Sequence, residues 1–138
     1  MVGKRIRYFR GRKDLTQKEF GKLLGFSDST AEIRIAQYEK ERRAPKQDLV
    51  NKMAEVLEVN PHALMVPDLD TPVGILHTMF AMEDEYGLIT KDTRYLPDLD
   101  RMLVAYEDKR FLLSIGRLTK EEYDSWRYSF NGEVEECM

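Results

Sequence analysis

Arg34 and Gln37 are the residues in this sequence whose chemistry and spacing best suit the reading of a patterned surface. They stand three apart in Ser29-Thr30-Ala31-Glu32-Ile33-Arg34-Ile35-Ala36-Gln37-Tyr38-Glu39, and on a helix that spacing makes them neighbours. A guanidinium donates two parallel hydrogen bonds to guanine O6 and N7, and a carboxamide pairs in the same way with adenine N6 and N7. Ser29 and Thr30 add hydroxyls that donate or accept. Lys40, Arg42 and Arg43 follow as a basic run suited to phosphates. Taken alone, each of these residues also fits an ordinary solvated polar face. Glu32 suits only a cytosine amino group among base edges, or the cap of a helix.

Other chemistry has little to work with. His62 and His77 are the only histidines; they fall in separate segments, without the Cys/His spacing of a zinc site. There is no Gly-rich phosphate loop and no Gly-x-Ser-x-Gly. Glu83, Asp84 and Glu85 are adjacent, so on a helix they point in different directions. The sequence therefore predicts no catalysis, no cofactor and no metal.

The elements that would carry these residues are helical. Ile6 and Phe9 sit at helical spacing in a first helix over about 2–13, with Arg5, Arg7, Arg10, Arg12 and Lys13 left to water. Thr16-Gln17-Lys18-Glu19 has the form of a capping box and opens a second helix, apolar at Phe20, Leu23 and Leu24. Gly25 ends it, because a left-handed residue costs glycine least. Ser29 and Glu32 form a second possible box, opening a helix through about Lys40. A fourth helix runs over 48–57 with Leu49, Val50, Met53, Ala54 and Leu57 on one face. Asn60-Pro61 gives a cap and a first-turn proline for a short fifth helix. Pro67–Pro72 reads as a linker. Helices follow at about 72–86 and 98–115, the latter apolar at Leu99, Met102, Leu103, Tyr106, Leu112 and Leu113. Between them, residues 88–96 fit a hairpin or a loop. Thr119–Glu122 caps a last helix, and 131–138 reads as a frayed tail.

Charge divides the chain as the elements do. Residues 1–66 hold 14 Lys/Arg against 9 Asp/Glu, a net of +5, whereas residues 67–138 hold 8 against 16, a net of −8. A basic first half suits a polyanion and an acidic second half repels one. The domain reading is thus 1–66, a linker at 67–72, a helical region at 73–130 and the tail. No apolar stretch is long enough for a membrane span. The N-terminus lacks the apolar core of a signal peptide, and Cys137 is the single cysteine, so the expected location is the cytoplasm.

The stretch Leu15-Thr16-Gln17-Lys18-Glu19-Phe20-Gly21-Lys22-Leu23-Leu24-Gly25-Phe26-Ser27, together with Ile35-Ala36-Gln37-Tyr38-Glu39 and Pro45, resembles the lambda repressor/Cro-like helix-turn-helix family over about residues 3–65. The resemblance implies an all-α fold, a five-helix DNA-binding domain followed by a smaller helical region. It also implies a cytoplasmic transcriptional regulator, a repressor that binds a palindromic operator in double-stranded DNA as a homodimer. In such a domain the second helix crosses the sugar–phosphate backbone while the third enters the major groove. Phe20, Leu24, Phe26, Ile35 and Tyr38 would hold the two together. Gln17 would offer its amide, beside helix N–H groups, to a phosphate; it also fits an ordinary first-turn residue. The chain departs from the family by about four extra residues before Glu39, which either lengthen the third helix or lengthen the turn. It departs again at Gly21, where the family prefers alanine. Residues 30–39, 77–87 and 120–128 also resemble a looser group of bacterial and mobile-element helix-turn-helix proteins. The competing reading is a protein-interaction module, antitoxin- or antirepressor-like, with a protein partner at the aromatic and Met-rich C-terminal region.

Overall fold

The first helices are built from local chemistry. In the computed structural model, residues 2–67, 69, 73, 77, 78, 82, 83, 85 and 97–134 are described, and the elements among them are all helices. Two compact units divide the chain, Met1–Pro67 and Asp68–Met138. The first unit holds α1 (Val2–Arg12), α2 (Gln17–Leu23), α3 (Ala31–Glu39), α4 (Gln47–Leu57) and α5 (Pro61–Leu64). Thr16 Oγ1 accepts from the Glu19 amide at 3.1 Å and Glu19 Oε2 accepts from the Thr16 amide at 2.8 Å, so the predicted capping box is present. The Thr16 backbone bond holds the Glu19 carboxyl below its ordinary range. Asn60 caps α5 by accepting from the His62 amide at 2.9 Å, with Pro61 in the first turn.

Helix ends follow one scheme. Gly25, at φ +91°, donates to Lys22 O at 2.9 Å, and Phe26 donates to Gly21 O at 3.0 Å, a Schellman closure. Asp14, Glu41 and Glu58 do the same for α1, α3 and α4 at φ values of 51°, 55° and 56°. Only one of the four closures in this unit uses the residue type that announces it in sequence.

The core of the unit is where the apolar periodicity places it. Ile6, Phe9, Phe20, Leu24, Ala31, Ile35, Tyr38, Val50, Met53, Ala54, Leu57 and Leu64 are buried. Each large apolar side chain so enclosed contributes about 1.5–3 kcal/mol. Three expectations need correction. Leu23 is 59% exposed, because α2 is short and turns its last residue outward. Phe26 and Leu49 are half-buried rather than enclosed. Arg5 and Arg10 are not left to water. Arg5 Nε donates to Ala63 O at 2.9 Å and its guanidinium lies 4.8 Å from the Phe9 ring, tying α1 to α5.

Arg10 is the larger correction. Its Nε meets Glu39 Oε1 at 2.5 Å and one terminal nitrogen meets Glu39 Oε2 at 3.1 Å, while the other donates to Leu15 O at 2.7 Å. Gln17 Nε2 donates to Glu39 Oε2 at 2.8 Å. The Glu39 side chain is 4% exposed and that of Arg10 16%. A single carboxylate at the end of α3 thus fastens α3 to α1 and α2. Lys13 and Glu58 add an exposed ion pair between the ends of α1 and α4.

The second unit contains α6 (Pro97–Ser114) and α7 (Lys120–Ser129). The expected helices and loop over 72–96 lie outside the described residues for the most part, as do the side chain of Leu99 and residues 135–138. Gly116, at φ +73°, closes α6. Thr119 and Glu122 form the predicted capping box. The apolar positions of α6 do not form one buried stripe: Leu103 is 44% exposed and Tyr106 39%, with Val104 and Phe111 exposed as well. Apolar residues stand on several sides of this helix, so no single face can cover them. Tyr123, Asp124 and Tyr128 of α7 are buried. Burial pushes the Asp124 carboxyl up, but hydrogen bonds from Lys120 and Arg127 outweigh it and hold the group below its ordinary value of 3.8. At the start of the tail, the Glu133 amide donates to Asn131 Oδ1 at 3.0 Å.

Three substitutions test this account. Glu39→Ala leaves Arg10 and Gln17 without their acceptor, and unfolding in urea should show a loss of about 2–4 kcal/mol. Lys22→Ala, which removes the exposed ion pair of Lys22 with Asp28 in the turn after α2, should cost under about 0.5 kcal/mol. Asp124→Asn should lower stability by about 1–3 kcal/mol at pH 7. Because the folded pKa is depressed, that stabilisation exists above the unfolded value and disappears as pH falls through the folded one. Thermal unfolding of wild type and variant should therefore converge well below pH 3.8.

Candidate nucleic-acid interface

The turn between α2 and α3 resolves the question left by the extra residues. They enter the loop and do not lengthen the helix: α2 ends at Leu23 and α3 begins at Ala31. Ser27 organises the interval. Its carbonyl accepts from the Thr30 and Ala31 amides at 3.0 and 2.9 Å. Its hydroxyl lies 2.8 Å from Thr30 Oγ1 and 3.2 Å from Ser29 Oγ. The Ser29–Glu32 capping box is not formed, since Thr30 occupies the N-cap position and makes no side-chain cap. Ser27 captures the Thr30 hydroxyl first.

Glycines seat both ends of α3. A Cβ at Gly21 would lie 2.7 Å from Ala31 O and 2.8 Å from Ala31 Cβ, and one at Gly3 would lie 2.5 Å from Tyr38 O. The backbone of α3 therefore approaches α2 at its start and α1 at its end more closely than any other residue permits. Gly21 was visible in the sequence as a departure from alanine; Gly3 gave no signal.

This seating fixes which side of α3 faces outward. Ala31, Ile35 and Tyr38 are buried at 0%, 0% and 6% exposure, whereas Ile33 is 60% exposed. At about 100° per residue, Ile33 stands opposite the core face, with Gln37 one turn further along and Lys40 beyond it. Arg34 lies on the flank, half-buried, its guanidinium 4.6 Å from the centre of the Phe26 ring. Gln37 is also half-buried, and Glu32 is exposed beside Ile33. Ser29, Thr30, Lys40, Arg42 and Arg43 are exposed. Gln17 stands half-buried at the start of α2, one amide hydrogen committed to Glu39; a carboxamide has a second. Sequence reasoning passed over Ile33 and Glu39. The expected core positions Ile35 and Tyr38 already placed Ile33 on the other side of the helix, where the structure leaves it exposed, while Arg34, expected on that side, lies on the flank against Phe26.

Exposed carboxylates interrupt the basic surface, Glu32 on α3 and Asp28 in the turn among them. Asp28 in the turn pairs with Lys22 at 3.1 Å, and that hydrogen bond and charge hold its carboxyl below the ordinary range. Among the described residues no group of three His, Cys, Asp or Glu is placed to hold a metal ion, and no helix is long and apolar enough to cross a membrane.

Gly21→Ala tests the seating directly. Helix propensity alone would stabilise α2 by about 0.5–1 kcal/mol, but the clash with Ala31 backbone costs about 1–3 kcal/mol. The net should be a loss of about 1 kcal/mol in chemical denaturation, and a gain would show that α3 shifts freely.

The arrangement has known relatives. Residues 6–64 match the helix-turn-helix family. The crystal structure of the transcriptional regulator BswR is similar, at 27% identity and a TM-score of 0.48, over 64% of this chain and 98% of that one. No curated protein matches the chain. Residues 6–64 are a helix-turn-helix domain of the Cro/C1 type, the kind that serves DNA-binding regulators.

Proposed function

We propose that the chain is a transcriptional repressor that binds a palindromic operator as a homodimer. The observation that carries this is the outward side of α3, where Ile33 is 60% exposed while the opposite residues are sealed in the core. Such a helix, with a basic loop after it, fits the major groove. In this reading Arg34 and Gln37 address base edges, and the stack on Phe26 holds the Arg34 guanidinium ready at little entropic cost. Ser29 and Thr30 approach the DNA from the turn. Lys40, Arg42 and Arg43 meet phosphates, as does the second amide hydrogen of Gln17. Repression is favoured over activation because occluding a promoter needs no further contact surface. The cytoplasm is the matching location.

A second reading draws on the other unit. Leu103, Val104, Phe111 and Ile115 are exposed at 44–62%, which suits a surface for a protein partner or for the second copy.

Selection from a random DNA pool with the full chain at near-physiological salt tests the proposal. One enriched palindrome is the expected result, with half-sites about 34–36 Å apart. On that site Arg34→Ala should cost about 1–3 kcal/mol and relax the preference at one base pair. Phe26→Leu should share part of that loss. Arg43→Ala should weaken all sequences alike and reduce the salt slope by about one unit. No enrichment, with weak binding abolished by salt, would leave the interaction module as the function.

A further inference from the structure

Resting on the DNA-binding reading, we infer that Ile33 is a specificity residue whose side chain seats against the C5-methyl group of a thymine. Ile33 is 60% exposed, on the side of α3 opposite Ala31, Ile35 and Tyr38. The polar residues around it, Glu32, Arg34 and Gln37, surround a single branched apolar group in the first turn of the helix. An isoleucine brought to a base edge displaces water and returns no hydrogen bond. Facing guanine O6 and N7, or the cytosine amino group, it would strand polar atoms without partners. Facing thymine, it meets the one apolar group the major groove displays. The same side chain therefore favours one base by contact and disfavours others by desolvation.

The test uses the full chain and the operator selected from the random pool. Each thymine is replaced in turn by uracil, which removes the methyl and keeps every hydrogen-bonding group. Wild type should bind about four- to tenfold more weakly when one particular thymine is replaced, the range expected for losing a buried methyl contact. Ile33→Ala should bind the thymine operator more weakly by a similar factor and be indifferent to uracil at that position. Ile33→Val, which keeps part of the side chain, should fall between. Because the position is exposed and alanine is a strong helix former, circular dichroism should be unchanged. Two results overturn the assignment while leaving specific DNA binding intact: wild type indifferent to every uracil, or an equal uracil penalty in wild type and Ile33→Ala. Absence of any enriched operator overturns it together with the DNA-binding reading.

Discussion

A carboxylate with 4% of its side chain exposed, as Glu39 has, is stable in a protein only where cations and donors replace the water it has lost. Arg10 supplies two charge-assisted bonds and Gln17 a third. Because the donors come from α1 and α2 and the acceptor from α3, satisfying one buried charge sets the relative placement of three helices. The planar fork of arginine matters here: a lysine would present one point charge and could not bridge Leu15 O and both Glu39 oxygens. The ion pair is not a large net source of stability, since desolvation offsets much of its Coulomb energy. Its effect is orientation. A hydrophobic core of Ile, Leu and Phe tolerates small rotations of a helix, whereas a bidentate pair does not.

Orientation is what the glycines then exploit. With α3 held at its end by Glu39, the contacts at Gly21 and Gly3 let its backbone lie against both neighbours. The helix is gripped on its inner side at both ends, and Ile33 on its outer side is left exposed. Charge is apportioned in the same way. Arg5, Arg10, Lys13 and Lys22 are engaged within the domain, while Lys40, Arg42 and Arg43, at and after the end of α3, are exposed. The acidic second half of the sequence keeps its surplus negative charge away from residues 1–66 in sequence.

What could be read beforehand was what local chemistry decides within four residues. Thr16 with Glu19, Thr119 with Glu122, and Asn60 with Pro61 were legible because a cap and its acceptor or donor are sequence neighbours. The same rule failed at Ser29, where a competing serine two residues earlier organised the turn. Asp14, Glu41 and Glu58 closed helices in the left-handed region without any glycine to announce it. Glu39 and Arg10 are 29 residues apart, and nothing in either neighbourhood marks the pair. The helix α6 misled for a different reason: an apolar count looks like a stripe until its residues are found on several sides. For the candidate site, the core positions Ile35 and Tyr38 were legible, while the stacking of Arg34 on Phe26 depends on a turn whose path no local signal gives.

The length of α3 carries the last step. Nine residues rise about 13.5 Å at 1.5 Å each, a span of roughly four base pairs at 3.4 Å per step. Four base pairs recur every few hundred in random DNA, far too often to single out one site among the roughly 10⁶ or more competitors a genome offers. A short recognition helix cannot gain specificity by growing, because its two ends are fixed by Gly21 and Gly3. Under the proposed function it would gain it by duplication, since two copies on a palindrome square the discrimination of one. The close seating that defines the outer face of α3 is thus consistent with the paired half-sites of the proposed function.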